Sequence, residues 1–265
     1  VGLGGEGVLR TFGREAEAEV VIEEALAQGI VYFDSARAYS GSESYYGRVW
    51  RRRPEARDRI FQTSKSAMRR KGEALQELDQ TLANMGTDHL DLWQIHDVRT
   101  DADFEAIAGP GGALEAFVEA KQAGKVRFIG VTGHHDPRIL TRAVREWPVD
   151  SVLVPVNPVE GVLGGFLDET VAVAREMGLA VIGMKVLGAS YYLSNRAGIT
   201  PERLIRFALS QPVTLVIVGC SRPEEVQTLA HAGRTHVDLS EAEQSELMEA
   251  FRPHAERLAY YRGVI

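Results

Sequence analysis

The stretch GIVYFDSARAY, residues 29–39, decides how the chain is read. Glycine opens it, an apolar run from Ile30 to Phe33 follows, and the run ends in Asp34, with Tyr39 five residues further on. A short apolar run bounded by glycine fits a buried strand of a parallel sheet, and its polar end is where such a strand leaves the core. The next strand-like run, residues 60–65, closes on Lys65, and HLDLWQIHD, residues 89–97, closes around His96. Acid and phenol, then amine, then imidazole at three successive run ends suggest one site assembled at one rim of a barrel.

Working outward, helical patterns separate the strands. Residues 14–28 place Val20, Val21, Ala25 and Leu26 near helical spacing and stop at Gly29, and residues 42–51 follow a Gly41–Ser42 turn. Residues 72–85 repeat Leu75, Leu78, Leu82 and Met85 at spacings of three and four before Gly86. A polar loop then runs to the glycine break at 109–112, before a helix at 113–123 and the strand KVRFIGV, 125–131. Asp136 and Pro137 open a helix to 146, and VDSVLVPV, 149–156, is a buried strand that must end or bulge at Pro155. Helix 166–177, strand LAVIGMKV (179–186), helix 201–210 and strand VTLVIVG (213–219) continue the alternation. Pro223 opens a helix to about residue 232, and Ser240 with Glu243 forms a capping box for a last helix to about residue 258.

With VGLGG at 1–5 as a short first strand, this makes eight strands at a period of roughly 30 residues. The expectation is a single closed (β/α)8 TIM barrel occupying residues 1–265 as one domain. A doubly wound open sheet is the competing arrangement. It lacks support because no strand precedes a full GxGxxG turn, and GLGGEG at 2–7 has no strand of normal length before it.

Composition narrows the function. Lys plus Arg number 30 against 37 Asp plus Glu, a net charge of −7, which gives no general attraction to nucleic acid. The one cysteine, Cys220, allows neither an internal disulfide nor a cysteine-based zinc cluster and fits a reducing compartment. No apolar run reaches the roughly 18 residues of a membrane span, and no basic leader precedes an apolar stretch. A cytoplasmic protein with neither nucleic-acid nor membrane partners is expected, its oligomeric state left open.

Parallel strands bring Asp34, Lys65 and His96 to the same rim, with Tyr39 in the loop above Asp34. A free phenol has a pKa of about 10 and is a poor acid near neutrality. A nearby Lys65 ammonium is expected to favour the phenolate, and Asp34 to hold that lysine protonated. Tyr39 then donates a proton to a carbonyl oxygen as charge develops on it, and His96 orients the same oxygen. Each residue alone also reads as structure: an Asp–Lys ion pair, a packed aromatic, a satisfied polar side chain. Four convergent groups favour chemistry.

These motifs resemble the aldo-keto reductase family. FDSARAYSGSESYYG, residues 33–47, is similar to the family stretch with the strand-end aspartate, the catalytic tyrosine and a following Glu and Gly, here Asp34, Tyr39, Glu43 and Gly47. FQTSK ends on the matching lysine, Lys65, and MGTDHLDLWQIHD carries the matching histidine, His96. The likeness continues through GKVRFIGVT, VIGMKVLG and VIVGCSRPEE and so covers nearly the whole chain. It implies a barrel using NADPH, or less often NADH, to reduce an aldehyde or ketone, the tyrosine supplying the proton and no metal taking part. It also implies cofactor contacts. Thr132 sits where a small hydroxyl residue holds the nicotinamide carboxamide, but Gly133 replaces the usual asparagine. No glutamine stands in the sixth strand, and Asn157 lies beyond its position. Gly219 to Arg222 resembles the loop receiving the adenosine phosphate. Arg222 is placed to pair with a 2′-phosphate, Ser221 and the following helix start to donate to it, and Glu225 to accept from adenine or ribose.

Other features carry less. His134 and His135 are adjacent, and with His96 they show no metal-binding spacing. Cys220 reads as a small apolar residue, and the basic runs at 51–53 and 69–71 as solvated faces. Tyr191 and Tyr192 are candidates to cover the substrate mouth, with packing an equal alternative. Two other functions compete: a nucleotide-sensing regulatory subunit that keeps the barrel and the cofactor site, and a phosphate-binding isomerase or lyase on another barrel.

Overall fold

A computed structural model of the chain describes residues 1–264. Eight strands, β1 (Gly2–Gly7), β2 (Tyr32–Phe33), β3 (Phe61–Ser66), β4 (Leu90–Ile95), β5 (Val126–Thr132), β6 (Ser151–Pro155), β7 (Ala180–Met184) and β8 (Leu215–Cys220), close in chain order. Every neighbouring pair is parallel, including β1 with β8. The (β/α)8 barrel expected from the alternation is therefore the fold.

The helices between the strands follow the sequence closely: α1 (Glu15–Ala27), α2 (Ser42–Arg52), a single turn α3 (Pro54–Arg57) and α4 (Lys71–Met85). The polar segment read as a loop contains α5 (Asp101–Ala108), started by a capping box in which Thr100 and Asp103 exchange side-chain and backbone bonds. Then come α6 (Ala113–Gln122), α7 (Pro137–Glu146) and, like α3 and α5 not read from the pattern, α8 (Pro158–Leu163), capped by the Asn157 side chain. The helix expected at 166–177 begins with a π-type turn, Phe166–Thr170, and continues as α9 (Val171–Glu176). After α10 (Pro201–Leu209) and α11 (Pro223–Arg234), Ser240 and Glu243 form the expected capping box for α12 (Glu241–Phe251). The last helix does not run on to 258. Pro253 lacks an N–H, and the chain passes through a 3-10 turn into the short α13 (Ala255–Leu258).

Side chains alternate about the barrel wall. Tyr32, Leu92, Leu153, Ile182 and Ile217 fill the lower interior, while a larger apolar layer lies between the wall and the helices. Trp93, pointing outward, stacks on Phe117 of α6 at 3.6 Å between ring centroids. The strand expected from Ile30 contributes only Tyr32 and Phe33 to the ladder. Beyond them Asp34 N still bonds Leu3 O, at 2.9 Å, and the chain then climbs into the loop that carries Tyr39. Pro155 ends β6, as a residue with no N–H to offer must. Among the described residues no helix is long and apolar enough to cross a membrane.

Candidate active site

The carboxyl ends of β2, β3 and β4 meet at one mouth. Lys65, buried, donates to Asp34 Oδ1, Asp34 Oδ2 and Ser35 O, each at 2.7 Å. Asp34 also accepts from Thr63 Oγ1 at 3.0 Å and from Gly5 N at 3.4 Å. Burial draws the Lys65 pKa down and Asp34 opposes it. With three acceptors at 2.7 Å, one for each N–H, the group is an ammonium.

Tyr39 lies across this pair. Its ring centroid is 4.9 Å from Lys65 Nζ and 5.2 Å from the Arg10 guanidinium, and the His96 ring meets it edge-on at 5.8 Å. The loop is fixed by Arg37 N to Lys65 O (3.0 Å), Ser42 N to Tyr39 O (3.2 Å) and Ser35 Oγ to Ser42 Oγ (2.8 Å). Gly5 makes room for the phenol: a Cβ there would stand 2.7 Å from two atoms of the Tyr39 ring. Behind the loop, buried Glu43 accepts from Ser64 Oγ (2.8 Å), Thr81 Oγ1 (2.7 Å) and Asn84 Nδ2 (3.0 Å), clamping α2 to β3 and α4. The Tyr39 hydroxyl has no hydrogen-bond partner among the described residues.

The electrostatics reverse one expectation. Burial, with the Asp34 and Glu6 carboxylates adding to it, pushes the Tyr39 phenol well above its ordinary value. The Lys65 charge does not make a phenolate, because its three N–H groups point at Asp34 and Ser35. Tyr39 therefore rests as a protonated acid. His96, half-buried and close to Lys65, has its pKa lowered to about 3 and is a neutral imidazole. Its backbone is held by His96 N to Ser66 O (2.8 Å) and by Arg69 donating to His96 O (2.9 Å).

The residues assigned to cofactor contact are placed less uniformly. Thr132 closes β5 and is buried, and its Oγ1 accepts from Asp97 N at 2.8 Å. Gly133 is packed tightly, a Cβ there falling 3.1 Å from Val98 O. Asn157 is engaged within the protein: Oδ1 accepts from Glu160 N (3.1 Å), and Nδ2 donates to Lys185 O (3.2 Å) and Tyr261 OH (3.0 Å). Past Gly219, at the end of β8, Glu225 turns back over the start of α11. It accepts from Ser221 N (2.7 Å) and from Arg222 (3.1 Å), whose side chain is otherwise exposed. The donors this carboxylate occupies, a backbone amide at a helix start and a guanidinium, are the kind that hold an anionic group, so they fit a nucleotide phosphate.

Several residues at the mouth carried no signal in the sequence. The tail folds back over it: Tyr261 OH donates to Glu160 Oε1 at 2.6 Å, the Arg262 guanidinium pairs with the Glu160 carboxylate, and Gly263 N bonds His135 O at 2.9 Å. His134 donates from Nδ1 to Tyr261 O at 3.1 Å, its Nε2 being 3.3 Å from Asp97 Oδ1. The histidine pair thus receives the tail. Tyr192 is buried under it against Phe251, whereas Tyr191 is exposed and meets Tyr260 edge-on. Cys220 is buried and its thiol is pushed up to about 12, the state of a packing residue.

The family model for the aldo/keto reductase family matches residues 1–201. The chain belongs to the aldo-keto reductase family. It is 25% identical over 192 residues to aldo-keto reductase str7 of Strobilurus tenacellus, covering 70% of this chain and 55% of that protein. The chain spans about half the length of several further curated relatives. Among solved structures, the holo form of aldo-keto reductase AKR11C1 from Bacillus halodurans superposes with a TM-score of 0.76 at 20% identity, over 100% of this chain and 93% of the other. An aldo-keto reductase from Klebsiella pneumoniae in complex with NADPH gives 0.76 at 21% identity, over 95% and 90%.

Proposed function

We propose that the protein is an NADP(H)-dependent oxidoreductase that reduces an aldehyde or ketone to the alcohol. The observation that carries this reading is the Tyr39 hydroxyl: protonated, without a protein partner, and flanked by Lys65 and neutral His96 at the barrel mouth. Reduced nicotinamide, when bound, supplies a hydride to the carbonyl carbon. As negative charge develops on the carbonyl oxygen, Tyr39 donates its proton there, and the nearby ammonium of Lys65 stabilises the phenolate that results. His96, being neutral, donates one hydrogen bond to the same oxygen without competing as an acid. Asp34 holds Lys65 in place throughout, and solvent returns the proton to Tyr39. One hydride and one proton convert C=O to CH–OH.

Ser221, Arg222 and Gly219 are the residues that would receive the adenosine phosphate, with Glu225 moving off Arg222 to accept from adenine or ribose. Thr132 faces the nicotinamide end, and Asn157 acts from behind through Lys185 O and the tail. Arg222 supports NADPH over NADH, and the Klebsiella pneumoniae reductase is described with NADPH. The same reading takes residues 1–265 as one catalytic barrel domain acting on small molecules in the cytoplasm; the single buried thiol supports that setting. The test is stopped-flow absorbance with NADPH and NADH against a panel of aldehydes, ketones and quinones. Carbonyl-dependent loss of the reduced-nicotinamide signal is the expected result. Tight binding without oxidation would replace the reductase by a nucleotide sensor.

A further inference from the structure

Around the mouth, cations are matched with acids. Lys65 pairs with Asp34, Arg10 with Glu6 at 2.7 Å, Arg99 with Asp97 at 2.7 Å, Arg222 with Glu225 at 3.1 Å, and Arg262 with Glu160. Lys185 is the exception. It follows directly on β7 with a left-handed backbone, φ +56°, unusual for a lysine, and that turn is held by Asn157 Nδ2 and Gly188 N donating to its carbonyl. Among the described residues, no carboxylate lies within 4.0 Å of Nζ. The acids that act on it from further off, Glu6 and Asp97, already hold Arg10 and Arg99.

The Tyr261 ring lies beside the ammonium, with its centroid 5.1 Å away. A ring face attracts the charge but does not replace the oxygen acceptors that three N–H donors lose on leaving water. The side chain is half-buried, and burial pulls its pKa down. A strained backbone that presents a shielded, unpaired cation at the edge of a reaction mouth is a costly arrangement unless something anionic comes to it.

We propose that Lys185 is an anion-binding residue of this mouth, its ammonium taking a phosphate or carboxylate oxygen of a bound ligand. This rests on the reductase reading of the same mouth. Two sources share that chemistry: a phosphate of the dinucleotide, and an acidic group carried by the carbonyl substrate.

Lys185→Met and Lys185→Gln, each checked for native circular dichroism and melting temperature, separate them. Three measurements are made on wild type and both variants: the Kd for NADPH and for NADH, kcat/KM for succinic semialdehyde against butanal, and calorimetric titration with inorganic pyrophosphate. If the dinucleotide is the source, both nucleotides and pyrophosphate weaken about tenfold or more, and the preference between the two aldehydes stays fixed. If the substrate is the source, nucleotide affinity holds while kcat/KM for succinic semialdehyde falls about tenfold relative to butanal. Variants that match wild type in nucleotide affinity, aldehyde preference and pyrophosphate binding overturn the assignment. A wild type that neither binds nor oxidises a reduced nicotinamide overturns the reductase reading instead, and pyrophosphate binding lost in both variants would still uphold Lys185 as the anion site.

Discussion

Lys65 Nζ lies 2.7 Å from both carboxylate oxygens of Asp34, and both residues are buried beneath the Tyr39 ring. The pair holds in place the ammonium that, in the proposed mechanism, stabilises a Tyr39 phenolate, so its loss has two readouts. Lys65→Met leaves an uncompensated buried carboxylate and should lower stability by about 3–5 kcal/mol. Urea denaturation measures this. Adding Asp34→Asn should recover much of the stability while activity stays low, because the ammonium is still missing.

Neither His96 nor Tyr39 titrates in the neutral range. Burial and the Lys65 charge lower the His96 pKa to about 3, and burial holds the Tyr39 phenol well above its ordinary value. We expect kcat/KM for carbonyl reduction to show no inflection from either group between about pH 5 and about pH 9. Stability carries the complementary sign. Below the unfolded His96 pKa of about 6.5 the unfolded chain takes up a proton that the folded chain refuses, so stability is lost as pH falls from there towards 3. A His96→Gln variant should show a flatter acid limb in melting temperature; an unchanged limb would remove His96 from that explanation.

What the sequence disclosed and what it hid divide along a physical line. Asp34, Lys65 and His96 were legible because a parallel barrel places every strand end at one rim, so a local pattern settles a distant geometry. The α5 helix was missed although Thr100 and Asp103 spell its start, because its eight residues are too few to repeat the Phe104–Ile107 spacing as a period. The tail contacts had no local signal at all: Glu160 and Arg262 stand 102 positions apart. The sign of the Tyr39 shift was also hidden, since it depends on how deeply the phenol is buried and on the Asp34 and Glu6 carboxylates beside it. For the same reason Asn157 could be picked out as a polar residue near the mouth, but not as the cap of α8 and a tie to the tail.

The tail is pinned by a buried acid. Burial raises the Glu160 pKa while Arg262 and the Tyr261 hydroxyl act to lower it. Arg262→Ala removes the main opposing charge and should cost about 3–5 kcal/mol near neutrality. A carboxyl with a raised folded pKa contributes stability below its unfolded value, lost as pH rises through the folded value, so the variant should be least impaired in acid. Glu160→Gln in the same background should remove that pH dependence in thermal melts. A penalty in Arg262→Ala that does not vary with pH would contradict this assignment.

Glu225 occupies the Ser221 N and Arg222 donors that the proposed function assigns to the adenosine phosphate. Replacing it with Gln removes the negative charge that competes for Arg222, and we expect NADPH to bind about fivefold tighter, a gain of about 1 kcal/mol that shrinks with added salt. Arg222→Ala should weaken NADPH more than NADH. Fluorescence titration of both nucleotides checks the pair, and equal losses for the two would count against a 2′-phosphate contact.

The most direct measurement is single-turnover hydride transfer in Tyr39→Phe, mixed with saturating NADPH and a reactive aldehyde. The substitution removes the hydroxyl and little volume, so nucleotide Kd should hold while the transfer rate falls by about 10²- to 10⁴-fold. Transfer at the wild-type rate would show that the proton comes from elsewhere and would contradict the role proposed for Tyr39.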